Sequence, residues 1–115
     1  FLDTDDVEIA KRIAVQIRES GGGLPFVKAL GLFVDGRAQV SMNLINYHVT
    51  PVHVVVDTIR KLAKAESVAI YQSELIGLIP QDALYAAAGA YLQLPNLART
   101  DILEHALNTA LSDEP

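Results

Sequence analysis

The sequence predicts an α+β domain in which helices cover one face of a small antiparallel sheet. Apolar residues recur every three or four positions in some segments, as in amphipathic helices, and alternate strictly with polar residues in residues 39–44, as in a strand. The alternating segment follows an Asp-Gly pair that is typical of a two-residue hairpin turn. The predicted elements follow one another in the order helix, strand, strand, helix, strand, helix, helix, a mixture that favours the α+β class.

The first helix is expected to begin at Asp5-Asp6-Val7-Glu8, because acidic residues cap a helix and stabilise the positive end of its dipole. Its apolar stripe consists of Ile9, Ala10, Ile13, Ala14 and Ile17. The helix is expected to end before Gly21-Gly22-Gly23, since a run of glycines is poorly tolerated in a helix. A phosphate loop normally follows a strand and opens a helix, so the glycine run favours a plain turn over a phosphate site.

A β-hairpin is predicted next, with a first strand at residues 27–34 and a second at residues 38–44. Asp35-Gly36 joins the two strands as a two-residue turn. That turn sets the register of the hairpin. The cross-strand pairs predicted for one face are Leu32 with Gln39, Leu30 with Ser41, and Lys28 with Asn43.

The second strand carries a row of uncharged hydrogen-bonding side chains, Gln39, Ser41 and Asn43, which we call the neutral polar row. Its other face is expected in the core and carries Val40, Met42 and Leu44. Uncharged polar groups in a row are better suited to a polar small molecule or a neighbouring domain than to water. Leu30 and Leu32 share the polar face, so a second sheet, a partner chain or a ligand is expected to cover it.

The clearest amphipathic helix follows Thr50-Pro51, predicted as its N-cap and first helical residue. Its apolar positions are Val52, Val55, Val56, Ile59, Leu62 and Ala63. Ser67 to Ser73 is predicted as a third strand, and an alanine-rich helix is expected at residues 81–92, after Pro80. Thr100-Asp101 is expected to cap a last helix, whose stripe is Ile102, Leu103, Ala106, Leu107 and Ala110.

A strand placed before Phe1 would complete the order β-α-β-β-α-β of the ferredoxin-like split unit, and Phe1-Leu2 has the character of the stump of that strand. The expected fold is therefore a ferredoxin-like sandwich that lacks its first strand and carries extra C-terminal helices. We expect residues 1–115 to form one domain, with a core at about residues 5–92 and an appended helix at residues 96–112.

Composition disfavours several classes of function. The net charge is −5 and the cations are scattered, whereas a nucleic-acid-binding protein needs cations gathered on one face. No apolar run approaches the roughly 20 residues that span a bilayer, and no leader sequence is recognised, so a soluble, cytoplasmic protein is expected. The absence of cysteine excludes disulfides, thiol catalysis and thiolate metal sites.

Few side chains are candidates for catalysis. His48, His53 and His105 are not paired with another ligand at helical spacing, so their spacing predicts no metal site. No nucleophile stands next to a base. Ser73-Glu74 precedes a glycine-containing loop of the kind that often holds ligands in α/β domains. Glu74 is then either a ligand of an amino or amide group or a carboxylate in an ion pair at the sheet edge.

Several motifs together resemble the second subdomain of glutamate formiminotransferase, a folate-dependent enzyme of histidine breakdown that occurs alone or fused to a cyclodeaminase. The motifs are Ile17 to Leu24, Val27 to Leu32, Gln39 to Leu44, Thr50-Pro51, Ser73 to Pro80 and Ala83-Leu84. The likeness extends in order from about Asp5 to Leu92. It departs at Gln72, where the family often has glycine, and at Asn46, where it often has aspartate.

The resemblance implies transfer of a formimino group from N-formimino-glutamate to tetrahydrofolate, which is a co-substrate, without a metal. It also implies that folate lies between two ferredoxin-like subdomains, so the N-terminal formiminotransferase subdomain is the expected partner. The family's catalytic histidine belongs to that partner, and no catalytic residue is assigned in this chain. The expected contacts with folate or formimino-glutamate are Gln39, Ser41, Asn43, Ser73 and Glu74.

Two other interpretations stay open. A non-catalytic ferredoxin-like module that binds a small molecule or forms a homodimer is favoured by the lack of a complete catalytic constellation. A purely structural half that stabilises its neighbour is the third interpretation. A histidine-bearing α/β half encoded immediately before Phe1 would favour the transferase.

Overall fold

The computed structural model describes residues 1–112, which form two compact units, residues 1–77 and the residues from 78 onward. The first unit contains helix α1 (Val7–Ile17), strands β1 (Val27–Val34) and β2 (Arg37–Leu44), and helix α2 (Val52–Ala65). The second unit contains helices α3 (Gln81–Leu92) and α4 (Leu103–Ser112). The α+β class is confirmed, with a two-stranded antiparallel sheet among the described residues.

The hairpin has the register that the sequence predicts. The antiparallel pairs include Lys28 with Asn43, Leu30 with Ser41, Leu32 with Gln39, and Val34 with Arg37 next to the turn. Asp35 and Gly36 have φ angles of 50° and 79°. Positive φ at both central residues is the geometry of a type I′ turn, whose twist matches that of the strands. The turn therefore determines which side chains of β1 and β2 share a face.

Helix α1 packs directly on one face of the hairpin. The buried core combines Ala10, Ile13, Ala14 and Ile17 of α1, Val27 and Ala29 of β1, Ala38 and Val40 of β2, and Val55, Ile59 and Ala63 of α2. A Cβ atom at Gly31 would lie 2.6 Å from the Cα of Lys11 and 2.7 Å from the carbonyl carbon of Ala10. Glycine at this position therefore allows the helix backbone to rest against the strand backbone.

Helix α1 begins as predicted, whereas the predicted cap of α2 is wrong. Asp6 caps α1 and accepts a hydrogen bond from the backbone N–H of Glu8 at 3.0 Å. At α2 the cap position belongs to Pro51, which makes no side-chain cap hydrogen bond. The Thr50 hydroxyl instead donates to the carbonyl oxygen of Pro25 at 2.6 Å, and Thr50 is only 3% exposed. The hydroxyl thus joins the loop before β1 to the start of α2.

The predicted third strand, Ser67 to Ser73, is wrong in its extent. Only Ile70 forms a bridge, antiparallel with Leu2. Ser67 has a left-handed φ of 60°, which does not belong to a strand. The backbone N–H of Leu2 donates to Ala38 in β2 at 2.9 Å, so the first residues are hydrogen-bonded on both sides. The backbone N–H of Asp3 donates to Ala69 and that of Tyr71 donates to Phe1, so the pairing is confined to the residues around Ile70.

In the second unit, α3 follows Pro80 as predicted and ends at the left-handed residue Gln93. The predicted cap of the last helix is wrong, because Thr100-Asp101 lies in a 3-10 turn at Arg99–Asp101. The Asp101 carboxylate accepts from the backbone N–H of Ala98 at 3.0 Å. The helix that was predicted at residues 96–112 is therefore shorter, and within the described range it consists of α4 alone. Among residues 1–112, none of the helices combines the length and the hydrophobicity that crossing a bilayer requires.

We expect Gly31→Ala to lower the free energy of unfolding by about 1–3 kcal/mol, because the added methyl group pushes α1 away from β1. Urea denaturation followed by circular dichroism measures the change. Gln16→Ala, on the exposed face of α1, is the control and should change the free energy by less than about 0.5 kcal/mol. A Gly31→Ala variant as stable as the parent protein would contradict the close approach of helix and strand.

We expect Thr50→Val to lower the free energy of unfolding by about 1–2 kcal/mol, because the Pro25 carbonyl loses its donor inside the protein. Thr58→Val is the matched control, since the Thr58 hydroxyl donates to the carbonyl oxygen of Val54 one turn earlier in the same helix. Thermal unfolding of both variants measures the difference. Equal losses of stability would show that the buried hydroxyl of Thr50 contributes nothing specific.

Candidate functional site

The hairpin face turned away from α1 carries the neutral polar row, as the alternation predicts. Gln39 and Ser41 are half-buried and Asn43 is exposed, while the intervening residues of β2 pack in or against the core. Leu30 and Leu32 lie opposite Ser41 and Gln39 and are 60% and 39% exposed. The face therefore combines exposed leucines with neutral hydrogen-bonding groups, which is the surface expected beneath a ligand or another layer of protein.

A groove of about 660 Å³ lies where β1 begins and β2 ends, and we call it the hairpin groove. Ser41 and Asn43 line it together with Lys28 and Leu30. The segment 18–20, which follows α1, forms another part of its wall. The groove therefore includes two members of the neutral polar row and adds charged groups from elsewhere in the same unit.

The glycine run after α1 holds the segment 18–20 in place. The backbone N–H groups of Gly21 and Gly23 both donate to the carbonyl oxygen of Arg18 at 3.0 Å. A Cβ atom at Gly23 would lie 2.5 Å from the carbonyl carbon of Ile17, so glycine lets the chain fold back over the helix end. The run is the turn that the sequence predicts, and it places the Arg18 side chain at the groove.

The hairpin groove carries more positive than negative charge. Its cations are Arg18 and Lys28, and neither forms an ion pair with any residue that the structure describes. Its one acidic lining residue is Glu19, whose carboxylate accepts from the backbone N–H of Phe26 at 2.8 Å. The Nε atom of Arg18 is shielded from solvent and has no hydrogen-bond partner within residues 1–112. The groove therefore has a local excess of cations, although the chain as a whole has a net charge of −5.

Four of the cations outside the groove, Lys11, Arg12, Arg37 and Arg60, have carboxylate partners, whereas Lys61, Lys64 and Arg99 form no ion pair with the described residues. Arg12 donates from Nε to Glu66 at 3.0 Å, and this hydrogen bond raises the pKa of the Arg12 guanidinium. Arg37 donates to Asp3 at 3.0 Å and also lies over the ring of Tyr71, 3.7 Å from its centroid. These pairs are structural contacts at the surface, where each contributes little to stability.

The structure does not bring all five predicted contact residues into the hairpin groove. Ser41 and Asn43 line it. Gln39 shares their face but lies two residues nearer the turn, outside the groove lining. Ser73 and Glu74 are exposed in the irregular segment after Ile70 and do not line the groove either.

None of the three histidines lines the groove. The ring of His48 stacks on Tyr47 with centroids 4.1 Å apart, and its backbone N–H donates to Asn46 Oδ1 at 3.1 Å. Asn46 thereby organises the turn before α2, a role that aspartate fills equally well. His53 and His105 are half-buried in α2 and α4. Within residues 1–112, no group of three or more histidine and carboxylate side chains is placed to hold a metal ion.

Sequence reasoning missed Arg18 and Lys28 as groove residues. The predicted register already placed Lys28 opposite Asn43, so the position of Lys28 beside the polar row could have been predicted from the sequence. Arg18 carried no such signal, because it reaches the groove only through the fold of the glycine turn and the packing of α1 on the hairpin.

Comparison with known proteins gives consistent matches. The family model described as the formiminotransferase domain matches residues 2–110. The chain is 40% identical over 115 residues to a glutamate formimidoyltransferase of Thermoplasma acidophilum, covering 98% of this chain and 38% of that protein. It is 43% identical over 95 residues to the glutamate formimidoyltransferase of Streptococcus pyogenes serotype M1, covering 81% of this chain and 32% of that protein.

A fused protein is also similar. The formimidoyltransferase-cyclodeaminase of Dictyostelium discoideum is 41% identical over 115 residues, covering 93% of this chain and 21% of that protein. The chain thus spans about a third of the length of the two transferases and about a fifth of the fused protein.

We expect Glu19→Ala to speed hydrogen exchange of the Phe26 amide by about five-fold, which corresponds to the loss of a hydrogen bond worth about 1 kcal/mol. Exchange measured by NMR at this amide reports the loss directly. Ser20→Ala, the neighbouring exposed position, is the control and should leave the Phe26 amide unchanged. Equal exchange rates in both variants would contradict the role of the Glu19 carboxylate.

Proposed function

We propose that this chain, which belongs to the formiminotransferase domain family, is the folate-binding half of a glutamate formimidoyltransferase. The reaction proposed for the complete protein transfers the formimino group of N-formimino-L-glutamate to tetrahydrofolate, in the cytoplasm. The observation that carries this proposal is the uncovered hairpin face, where Ser41 and Asn43 lie beside exposed leucines. The chain spans about a third of the length of its transferase relatives, so the other wall of the site is assigned to the remaining polypeptide.

The proposed architecture of the first unit is the ferredoxin-like split sheet. Supporting it, residues 1–4 are hydrogen-bonded to Ala38 of β2 on one side and to Ala69 and Tyr71 on the other. The lateral order is then β1, β2, residues 1–4 and the segment around Ile70. Both helices of this unit contribute to one core, which leaves the opposite face of the sheet for a second layer.

The N-terminal formiminotransferase subdomain is the partner that we propose for this face, with folate between the two halves. Covering Leu30 and Leu32 removes apolar surface from water, which is favourable by about 25 cal/mol per Å². The neighbouring polar side chains must find hydrogen-bond partners when they are covered, because an unpaired buried polar group is costly. Folate and N-formimino-glutamate supply such groups.

The proposed chemistry assigns this half to positioning. The acceptor nitrogen of tetrahydrofolate attacks the formimino carbon, and the tetrahedral centre collapses as the amine of glutamate leaves, giving 5-formimino-tetrahydrofolate. A proton must move from the attacking nitrogen to the leaving nitrogen, which requires a general acid and base. Ser41 and Asn43 hold the reactants through hydrogen bonds that involve no change of charge. The proton-transferring histidine is assigned to the N-terminal subdomain.

The remaining proposed contacts, Gln39, Ser73 and Glu74, lie outside the hairpin groove. Gln39 continues the neutral polar row toward the turn, where it is available to a ligand that extends along β2. Ser73 and Glu74 are exposed, so a ligand held against the same unit can reach them only by extending beyond the groove. They are assigned to the part of the bound substrates farthest from Asn43.

A non-catalytic module that binds a small molecule or dimerises is the second candidate. It is favoured by the same uncovered face, which a second copy of the chain would also cover. Analytical ultracentrifugation with and without a folate separates the two candidates. A dimer that forms through this face and binds no folate would favour the module.

We expect Ser41→Ala and Asn43→Ala, each made in the complete protein, to raise the Kd for tetrahydrofolate by about five- to ten-fold. This effect corresponds to the loss of one hydrogen bond of roughly 1 kcal/mol. Calorimetric titration measures the Kd, and the rate of formimino transfer is followed in parallel. Asn108→Ala, an exposed amide on α4, is the matched control. Unchanged affinity and rate in both groove variants would remove Ser41 and Asn43 from the site.

A further inference from the structure

The second unit exposes a row of leucine side chains on α4. Leu103, Leu107 and Leu111, which we call the leucine stripe, are 67%, 53% and 67% exposed. They recur every four residues, a spacing that places them on one face of a helix. Polar side chains such as Glu104 and Asn108 lie beside the stripe. Helix α4 is therefore amphipathic, and its apolar face is the one that the described residues leave uncovered.

The second unit, as far as residues 78–112 describe it, has no core of large side chains. No residue of α4 is buried. The buried residues of α3 are Ala83 and Gly89, both of which are small. The half-buried positions at the end of the unit are Ile102 and His105, which lie on a different side of the helix from the leucine stripe. Contacts within this unit therefore leave the leucines of α4 without packing partners.

A helix of this length needs such partners. Helix α4 has 10 residues, whereas an isolated helix shorter than about 12–15 residues is only marginally stable in water. In proteins, helices are stabilised mainly by packing of their apolar face. We propose that the leucine stripe packs against an apolar surface of the same polypeptide, in the part of the transferase that lies outside residues 1–115. This inference rests on the proposed function in one respect, the assignment of this chain to a longer transferase.

The matches with known proteins favour the transferase over a fused cyclodeaminase as the source of that surface. The formiminotransferase domain model extends to residue 110 and so includes most of α4. The protein of Thermoplasma acidophilum is named for the transferase alone, and it matches 98% of this chain. A counterpart of α4 therefore occurs in a relative whose name includes no cyclodeaminase. An occupant of the leucine stripe is accordingly expected within the transferase itself.

The size of the leucine stripe favours the same polypeptide over a second copy of the chain. A stable complex between separate molecules buries about 800 Å² on each partner, which is more than three partly exposed leucine side chains provide. Association of separate molecules also costs translational and rotational freedom, whereas parts of one polypeptide are already linked. The chain covers 38% and 32% of its two transferase relatives, so the larger part of such a protein is available to supply the surface.

Photo-cross-linking in the complete protein identifies the occupant. We expect p-benzoylphenylalanine in place of Leu107 to form a cross-link at the mass of the monomer, and mass spectrometry should locate it in a peptide from outside residues 1–115. The same group in place of Asn108, on the neighbouring polar side of α4, is the control and should give at most a tenth of the yield. A covalent dimer, a cross-link to another residue of this chain, or equal yields at both positions would overturn the proposal.

Thermal unfolding of the complete protein tests the packing independently. We expect Leu107→Asp to lower the Tm by about 4–8 °C, because it places a carboxylate in an apolar contact. Asn108→Asp adds the same charge to the same helix and should change the Tm by less than about 1 °C. Equal Tm values for the two variants would show that the leucine stripe remains in contact with water, and the proposal would then be wrong.

This proposal and the proposed function fail in different ways. If the parent protein transfers no formimino group, the proposed function is wrong, and the cross-link from position 107 still shows what covers α4. If the parent protein is active and position 107 cross-links only to a second copy, the proposed function stands and the assignment of the leucine stripe is wrong.

Discussion

A two-residue turn at Asp35-Gly36 holds β1 and β2 in one register, and the candidate site depends on that register. Because side chains alternate along a strand, a shift by one residue would move Ser41 and Asn43 under α1 and expose the residues that now form the core. The contact of α1 with Gly31 reinforces the same arrangement, since glycine at this position lets the helix backbone lie close against the strand backbone. Turn and helix together determine which face of the hairpin stays uncovered.

The second constraint is the fold of the chain after α1. The glycine run reverses the chain and returns it to the edge of the hairpin, where Arg18 and Glu19 meet the start of β1. Glu19 then accepts a hydrogen bond within its own loop, whereas Arg18 and Lys28 line the groove without an ion-pair partner among the described residues. A site with a local excess of cations therefore arises in a chain whose net charge is −5, without any cluster of basic residues in the sequence.

These features suit a division of work between two halves of an enzyme of the formiminotransferase family. In the proposed function the neutral groups of this half orient the substrates, a task that requires no group that exchanges protons at neutral pH. Proton transfer is assigned to the polypeptide that faces this half. In that proposal, the uncovered hairpin face is the surface that meets the other half.

The sequence by itself determined the elements whose signals are local. The stripe of α1, the Asp35-Gly36 turn, the pairing of Ser41 with Leu30 and the bounds of α3 all follow from neighbours in the chain. The prediction failed where partners are distant. The Thr50 hydroxyl donates to the Pro25 carbonyl oxygen instead of capping α2, and Ile70 pairs with Leu2, which is far away in the sequence. Tertiary structure also placed Arg18 and Lys28 in the lining of one groove. Local sequence patterns do not encode such distances through space.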